Sequence, residues 1–220
     1  MTIYHGSKVI VEKPMFGYGR TDNDYGQGFY CTEDIELAKE WSCQDPEGGF
    51  VNSYDLDLGR LNVYEIDSNN VISWIALLLS NRIVRYSSPL ERRTAGYITE
   101  HFTPDVSGSD VIRGFRADDS YFSIARSFLS NTISLEQLRA GLELGRLGMQ
   151  ICLKSAKSFE LIKFCGSEPV DGDKYYRQRV SRDNRARDDF YRMLERVEEG
   201  GIYARDIIEK EMTEDELRIS

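Results

Sequence analysis

Three segments of the chain bring together residue types that suit the binding of a flat ring. The run Tyr-His-Gly-Ser at residues 4–7 ends a predicted strand in a glycine, where a ligand can come close to the backbone. Tyr30 ends another predicted strand, and Trp41 follows eleven residues later in a predicted helix. A phenol and an indole placed in this way can form a slot for an aromatic ring, although two core aromatics would show the same pattern. Gln150, after the break Leu-Gly-Met at residues 147–149, opens a third predicted strand.

Hydrophobic periodicity and capping residues predict the elements that must position these side chains. The predicted strands cover residues 2–5, 28–32, 51–57, 62–66, 110–115, 150–154 and 159–164. Helices are predicted after Thr32, over 71–81, after residues 118–120, from Ser134 and over 173–198, with a short acidic helix at the end. Residues 82–105 show no clear pattern. Glycines and a proline at 166–172 predict a first domain over 1–166 and a C-terminal helical extension over 167–220 that packs on it.

The composition argues against several classes of protein. The 220 residues carry 28 Lys and Arg against 37 Asp and Glu, and the net charge of −9 disfavours a grip on a phosphate backbone by the whole surface. With two histidines and no Cys-x-x-Cys pair, we expect no metal site. Four cysteines without a visible signal peptide favour free thiols in the cytoplasm. The longest apolar run, residues 71–79, is too short to span a bilayer, so we expect no membrane partner.

The motifs at residues 4–7 and 28–33, with Trp41, resemble those of the diphtheria-toxin-like and poly(ADP-ribose)-polymerase-like ADP-ribosyltransferases, the class named for its His-Tyr-Glu triad. That class carries Tyr/Trp-His-Gly-Ser/Thr on a first strand and Gly-Phe/Ile-Tyr on a later strand, with a second aromatic eleven residues after the tyrosine. The chain also resembles bacterial proteins of this clan that are known only as a domain of unknown function. The resemblance implies an α+β fold in which split antiparallel β-sheets surround an NAD cleft, with flanking helices.

The resemblance also implies a role for each matching residue. The Gly6 backbone would bind the nicotinamide carboxamide, and His5 would bind the adenosine ribose hydroxyls. Tyr30 and Trp41 would hold the nicotinamide ring between them. Two further polar residues are expected near the ligand: Ser7 as a support and, on its charge alone, Arg20 as a partner of the pyrophosphate.

The chain departs from this class at the third member of the triad. The best register places Gln150 where the class carries a glutamate on a late strand. A glutamine amide can hold the ribose 2′-hydroxyl, but it cannot act as a general base. Asp118 and Asp119 are candidate substitute carboxylates, although both also suit the N-terminus of the helix that they open. Three readings stay open: an acceptor that needs little activation, a weak or inactive NAD-binding protein, or replacement of the glutamate by another carboxylate.

Together these patterns predict an NAD-dependent ADP-ribosyltransferase with NAD as co-substrate, transferring single ADP-ribose units to an unknown macromolecular acceptor. By family analogy it would be the toxin of a bacterial toxin–antitoxin pair, with an antitoxin protein as partner. The alternatives are a non-catalytic NAD or ADP-ribose-binding module, and a partner-binding protein that uses the C-terminal helices. Residues 174–196 carry eight basic and four acidic side chains, which suit either a solvated helix face or contact with nucleic acid or an acidic partner.

Overall fold

A seven-stranded mixed sheet forms the centre of the protein. The computed structural model describes residues 1–117, 119–144, 148–195 and 200–218, without the side chains of residues 119 and 120. The strands are β1 (Thr2–Ser7), β2 (Phe29–Thr32), β3 (Gly49–Leu56), β4 (Val63–Glu65), β5 (Val111–Phe115), β6 (Met149–Leu153) and β7 (Ile162–Val170). Their order across the sheet is β4-β5-β6-β2-β1-β3-β7. Only the β4–β5 pair is parallel among the strands described.

The expectation of two split sheets is wrong, because β1 and β2 pair with each other. Their pairing joins one half of the sheet, β4-β5-β6-β2, to the other half, β1-β3-β7. The joint is narrow: the antiparallel register of β1 with β2 consists of the pair Tyr4 and Thr32. By contrast, β1 pairs with β3 along its whole length, from Thr2 opposite Asp55 to Ser7 opposite Phe50. The two halves therefore diverge beyond Tyr4 while they remain hydrogen-bonded at one point.

Helices pack on the sheet and complete the α+β fold expected from the sequence. They are α1 (Ile35–Ser42), α2 (Val71–Asn81), α3 (Pro89–Phe102), α4 (Asp119–Leu129), α5 (Leu135–Glu143), α6 (Ala156–Leu161), α7 (Gly172–Leu194) and α8 (Ala204–Glu209). The fully buried Trp74 and its neighbours on α2 form the centre of the main core, together with residues of α3, α4 and α5. Within the described residues, every helix is too short or too polar to cross a bilayer.

Two stretches fold differently from their sequence pattern. Residues 82–105, which gave no prediction, contain α3, whose N-cap Ser88 accepts a hydrogen bond from the Glu91 backbone before a proline in the first turn. The strand predicted over 159–164 is half wrong, because Ser155 caps α6 and the chain stays helical to Leu161. Strand β7 begins at Ile162 and continues to Val170, beyond residue 166, where the predicted first domain ends.

Helix α7, in the region predicted as a C-terminal extension, is held to α1 by one buried ion pair and one hydrogen bond at the surface. The guanidinium of Arg182 lies 2.8 Å from the carboxylate of Glu40, and both side chains are nearly inaccessible to solvent. The hydroxyl of Tyr175 donates to Glu36 at 2.9 Å. Burial raises the pKa of Glu40, and the charge of Arg182 opposes that rise. Arg182 is thus the main charge that compensates the buried carboxylate, with a smaller contribution from Arg116. The division of the chain into domains over 1–166 and 167–220 stays a prediction.

We predict that Arg182→Met destabilises the protein by about 3–5 kcal/mol, because it leaves the Glu40 carboxylate buried without its partner. The double variant Arg182→Met, Glu40→Leu should recover most of that loss, since neither charge then remains. Urea unfolding of the full chain measures both free energies. Equal losses in the single and double variants would show that the pair does not hold α7 against α1.

Candidate functional site

A cleft of about 780 Å³ opens where the two halves of the sheet diverge. Seven of the residues singled out in the sequence line it: His5, Gly6, Ser7, Arg20, Tyr30, Trp41 and Gln150. They come from β1, β2, β6, α1 and the loop before β2. Of the two candidate substitute carboxylates, Asp118 lies outside the described residues, and Asp119 is described only by its backbone at the start of α4. The structure thus brings together side chains that are up to 145 positions apart in sequence.

His5 bridges the two diverging strands. Its ring Nδ1 lies 2.7 Å from the backbone carbonyl oxygen of Tyr30. A carbonyl oxygen only accepts hydrogen bonds, so Nδ1 carries the proton and donates it. Burial lowers the pKa of His5, although the bond to Tyr30 opposes that shift. The imidazole is therefore neutral near pH 7, and its Nε2 is an acceptor for a ligand hydroxyl.

Gly6 is required by packing. A Cβ atom at this position would lie 1.8 Å from the carbonyl oxygen of Ala38, in helix α1. Glycine therefore lets α1 lie directly against β1, and α1 carries Trp41. The register of β1 with β2 stops before Gly6, so its backbone lines the cleft on the side where the two strands part.

Asn52, which the sequence analysis did not identify, holds the end of β1 and the loop that follows. Its buried amide donates to the carbonyl oxygen of His5 at 3.2 Å and to the hydroxyl of Ser7 at 3.1 Å. Its oxygen accepts from the backbone of Val11 at 2.9 Å. Ser7 in turn donates to the carbonyl oxygen of Val9 at 2.6 Å. Ser7 therefore supports the rim of the cleft, and the signal for Asn52 was only a polar residue within a strand pattern.

Tyr30 is fixed by its hydroxyl. The phenol donates to the carbonyl oxygen of Gly26 at 2.6 Å and accepts from the backbone of Tyr25 at 3.0 Å. Burial raises its pKa far above the usual value, so the hydroxyl stays protonated. Tyr30 thus lines the cleft with its hydroxyl committed to two backbone groups, while it also packs against the main core.

Trp41 lies on α1, which begins after the N-cap Asp34; that side chain accepts from the backbones of Glu36 and Leu37. The guanidinium carbon of Arg116 lies 5.0 Å from the centre of the indole ring, a cation–π distance. The indole N–H is buried without a hydrogen-bond partner among the described residues. The Arg116 guanidinium and the Trp41 indole thus lie against each other in the lining of the cleft.

Gln150 lies at the floor of the cleft and is only 3 % exposed. Its amide nitrogen donates to Asp24 at 2.8 Å and to the carbonyl oxygen of Phe115 at 3.2 Å. Asp24, which sequence reasoning missed, also accepts from the backbone of Ala117 at 2.9 Å and lies 3.5 Å from the guanidinium of Arg82. Burial raises the pKa of Asp24, whereas these donors and charges oppose the rise.

The rim of the cleft is basic although the chain is acidic. Arg20 is exposed and forms a two-pronged ion pair with Asp22, at 2.8 and 2.9 Å. Other basic residues lining the cleft were not foreseen from the sequence: Lys13, Arg82, Arg116, Arg179 and Arg187. The last two belong to α7, whose basic residues were predicted to face solvent, nucleic acid or an acidic partner. Among described residues, the acidic side chains lining the cleft are those of Asp24 and Asp183.

The neutral state of His5 gives a pH dependence of stability that can be measured. The pKa of His5 in the folded protein lies below the usual 6.5. As the pH falls below 6.5, His5 therefore binds a proton in the unfolded chain before it does so in the native chain. The free energy of unfolding should therefore decrease as the pH falls below 6.5, and His5→Asn should remove this part of the decrease.

Chemical denaturation of the wild type and of His5→Asn between pH 8 and 5.5 tests this prediction. His101→Asn is the matched control, since His101 is exposed on α3 and packs against Tyr97. The difference in stability between wild type and His5→Asn should shrink as the pH falls, whereas the control should follow the wild type. A constant difference would contradict the half-buried, neutral imidazole.

Comparison with known proteins gives one match. The model of a family described as a protein of unknown function (DUF3990) matches residues 1–164, about three quarters of the chain. No curated protein and no solved structure matches it. The matched segment contains β1, β2, α1 and β6, and hence the side chains of His5, Tyr30, Trp41 and Gln150. Helix α7 lies beyond it.

Proposed function

The chain belongs to the DUF3990 family, whose description names no activity, and we propose from the site itself that the protein is an NAD-dependent ADP-ribosyltransferase. The observation that carries the proposal is the meeting of His5, Tyr30, Trp41 and Gln150 in one cleft. NAD is the substrate whose parts these side chains match: a flat cationic ring, two ribose groups and a pyrophosphate. A volume of about 780 Å³ lies within the usual range for sites that bind small molecules.

The nicotinamide ring would lie between the rings of Tyr30 and Trp41, where stacking contributes roughly 1 kcal/mol per aromatic pair beyond the area buried. The open backbone at Gly6 would receive the carboxamide group. Nε2 of His5 would accept a hydrogen bond from a ribose hydroxyl, because the other ring nitrogen is committed to Tyr30. The four contacts would hold the dinucleotide bent, with the bond between nicotinamide and ribose C1′ near Gln150.

The basic side chains at the rim suit the pyrophosphate. Arg20, the candidate taken from the sequence, would have to exchange its pair with Asp22 for the phosphate. Arg116 is better placed, since it already stacks on Trp41 and so lies beside the proposed ring site. A guanidinium binds two phosphate oxygens in one plane, which fixes the ligand as well as attracting it.

The reaction would break the bond between nicotinamide and ribose C1′ and pass through an oxocarbenium-like transition state, from which an acceptor takes the ADP-ribose. Gln150 would hold the ribose 2′-hydroxyl. Its amide removes no proton from an acceptor, so the acceptor's own nucleophilicity would govern the rate of transfer. Growth arrest on expression, relieved by Tyr30→Ala, is the expected sign of a toxin.

A second function is favoured by the same glutamine. If Gln150 and its neighbours only bind the ribose, the protein is an NAD or ADP-ribose-binding module without turnover. Calorimetric binding of NAD with no release of nicotinamide would select this function over the transferase. An absence of both binding and release would refute both functions and leave a partner-binding protein on the same scaffold.

Substitutions of Tyr30 separate its ring from its hydroxyl. Tyr30→Phe should keep NAD affinity within about threefold, because the ring face remains, while it lowers stability by roughly 1–3 kcal/mol through the lost bonds to Tyr25 and Gly26. Tyr30→Ala and Trp41→Ala should each weaken NAD binding by at least about tenfold. Calorimetry with NAD and an assay of nicotinamide release measure these effects.

Tyr191→Ala is the control for these variants, since Tyr191 is 65 % exposed on α7 and does not line the cleft. It should bind NAD like the wild type. Equal NAD affinity in Tyr30→Ala, Trp41→Ala and the control would contradict the proposed ring site.

A further inference from the structure

The geometry points to Asp24 as the residue that positions Gln150: it holds the amide nitrogen inward, so that the amide oxygen is the atom offered to a substrate hydroxyl in the cleft. This inference rests on the proposed function, because the hydroxyl is then that of the ribose next to the nicotinamide.

The direction of the amide follows from its neighbours. The nitrogen of Gln150 lies 2.8 Å from the carboxylate of Asp24 and 3.2 Å from the carbonyl oxygen of Phe115. Both neighbours accept hydrogen bonds, and the Tyr25 hydroxyl beside the amide has its proton committed to the Phe115 carbonyl oxygen. A flipped amide would therefore bring its oxygen against acceptors alone. Both N–H groups are used in these bonds. The oxygen remains as the atom of the amide that can bind a ligand donor.

Asp24 is itself held firmly. It is 8 % exposed, and the next residue, Tyr25, is buried and donates its hydroxyl to the carbonyl oxygen of Phe115 at 2.6 Å. The turn closes with a bond from the backbone of Gly26 to Asn23 at 3.0 Å, and Gly26 has the positive φ of 74° that favours glycine. Asp24 is thereby fixed against Gln150 by backbone as well as by side-chain contacts.

The charged and hydrogen-bonding groups around Asp24 come from two segments, the residue after α2 and the residues after β5. Arg82 follows α2 and lies 3.5 Å away, Arg116 follows β5 and acts through its charge, and the Ala117 backbone donates at 2.9 Å. Burial raises the pKa of Asp24, and each of these groups opposes that rise. Geometry fixes the acceptor role, because the Ala117 backbone and the Gln150 amide both donate to the same oxygen of Asp24. The carboxylate thus lies one hydrogen bond behind the residue at the cleft floor.

This arrangement explains why a glutamine serves at position 150. A glutamate there would place a second carboxylate about where the amide nitrogen lies, 2.8 Å from Asp24 and close to the Phe115 carbonyl oxygen. Two carboxylates at that distance cannot both ionise, and one would keep a proton. Gln150→Glu should therefore lower activity at neutral pH as long as Asp24 is present.

A double-mutant cycle tests the pair, with NAD consumption by the full-length protein as the readout. Asp24→Asn alone should lower kcat about tenfold and leave KM for NAD within about twofold, because the amide is less firmly directed. In the Gln150→Glu background the same Asp24→Asn should raise kcat severalfold. The side-chain amide then present at position 24 can donate a hydrogen bond to the carboxylate at position 150, whereas the Asp24 carboxylate only accepts. Asp105→Asn, an exposed aspartate before β5, is the matched control and should leave kcat unchanged in both backgrounds.

Hydrogen exchange of the Gln150 side-chain amide, followed by nitrogen-15 NMR without any ligand, tests the positioning without relying on activity. Its exchange should be at least about tenfold slower than that of the exposed Gln44 amide, and Asp24→Asn should remove much of this protection. Protection together with no nicotinamide release would support the positioning and refute the transferase. Exchange as fast as that of Gln44, or a loss of kcat from Asp24→Asn in both backgrounds, would overturn the inference.

Discussion

The parting of β1 and β2 beyond Tyr4 is the constraint on which the site depends. If their antiparallel register continued, His5 would lie opposite Cys31 and Gly6 opposite Tyr30, and the cleft would be closed by backbone hydrogen bonds. Instead the ring of His5 replaces the next backbone hydrogen bond between the strands and donates to the carbonyl oxygen of Tyr30. One side chain thus satisfies a backbone acceptor, keeps the strands apart and retains a nitrogen for a ligand.

The floor of the cleft depends on one backbone carbonyl. The oxygen of Phe115, at the end of β5, accepts from the hydroxyl of Tyr25, the indole of Trp74 and the amide of Gln150. These donors belong to the loop before β2, to α2 and to β6. The main core, the loop that carries Asp24 and the proposed ribose contact are therefore joined at one atom. We therefore expect a change in any of these elements to alter the position of the Gln150 side chain.

Sequence patterns located the cleft residues that belong to short local motifs. His5 and Gly6 belong to the run Tyr-His-Gly-Ser and Tyr30 to the run Gly-Phe-Tyr, and Trp41 follows eleven residues later, so few residues carried the information. Asp24 gave no such signal, because an aspartate in a loop rich in Gly, Asn and Asp is equally typical of a turn. Its importance arises from Gln150, which is 126 positions away.

The errors in the predicted fold have a similar origin. The single pair between Tyr4 and Thr32 decides between one sheet and two, and a one-residue contact leaves no trace in hydrophobic periodicity. The apolar run at 159–164 suits a strand or a buried helix equally well, and the Ser155 cap decided for α6. Local propensity determined the helices and strands, whereas the pairing between strands depended on contacts between residues distant in sequence.

Helix α7 contributes basic side chains to the cleft of a chain that is acidic as a whole. A net charge of −9 disfavours polyanion binding by the whole surface, yet Arg179 and Arg187 of α7 join the basic residues of the loops at one cleft. A cleft with basic walls focuses its field and raises the local concentration of an anionic ligand, even on an acidic protein. Because the buried pair of Glu40 and Arg182 fixes α7 to α1, these charges keep their place relative to Trp41. Arg179 and Arg187 lie beyond residues 1–164, the segment matched by the family model, whereas Lys13, Arg82 and Arg116 lie within it, so the basic lining of the cleft is built from both parts of the chain.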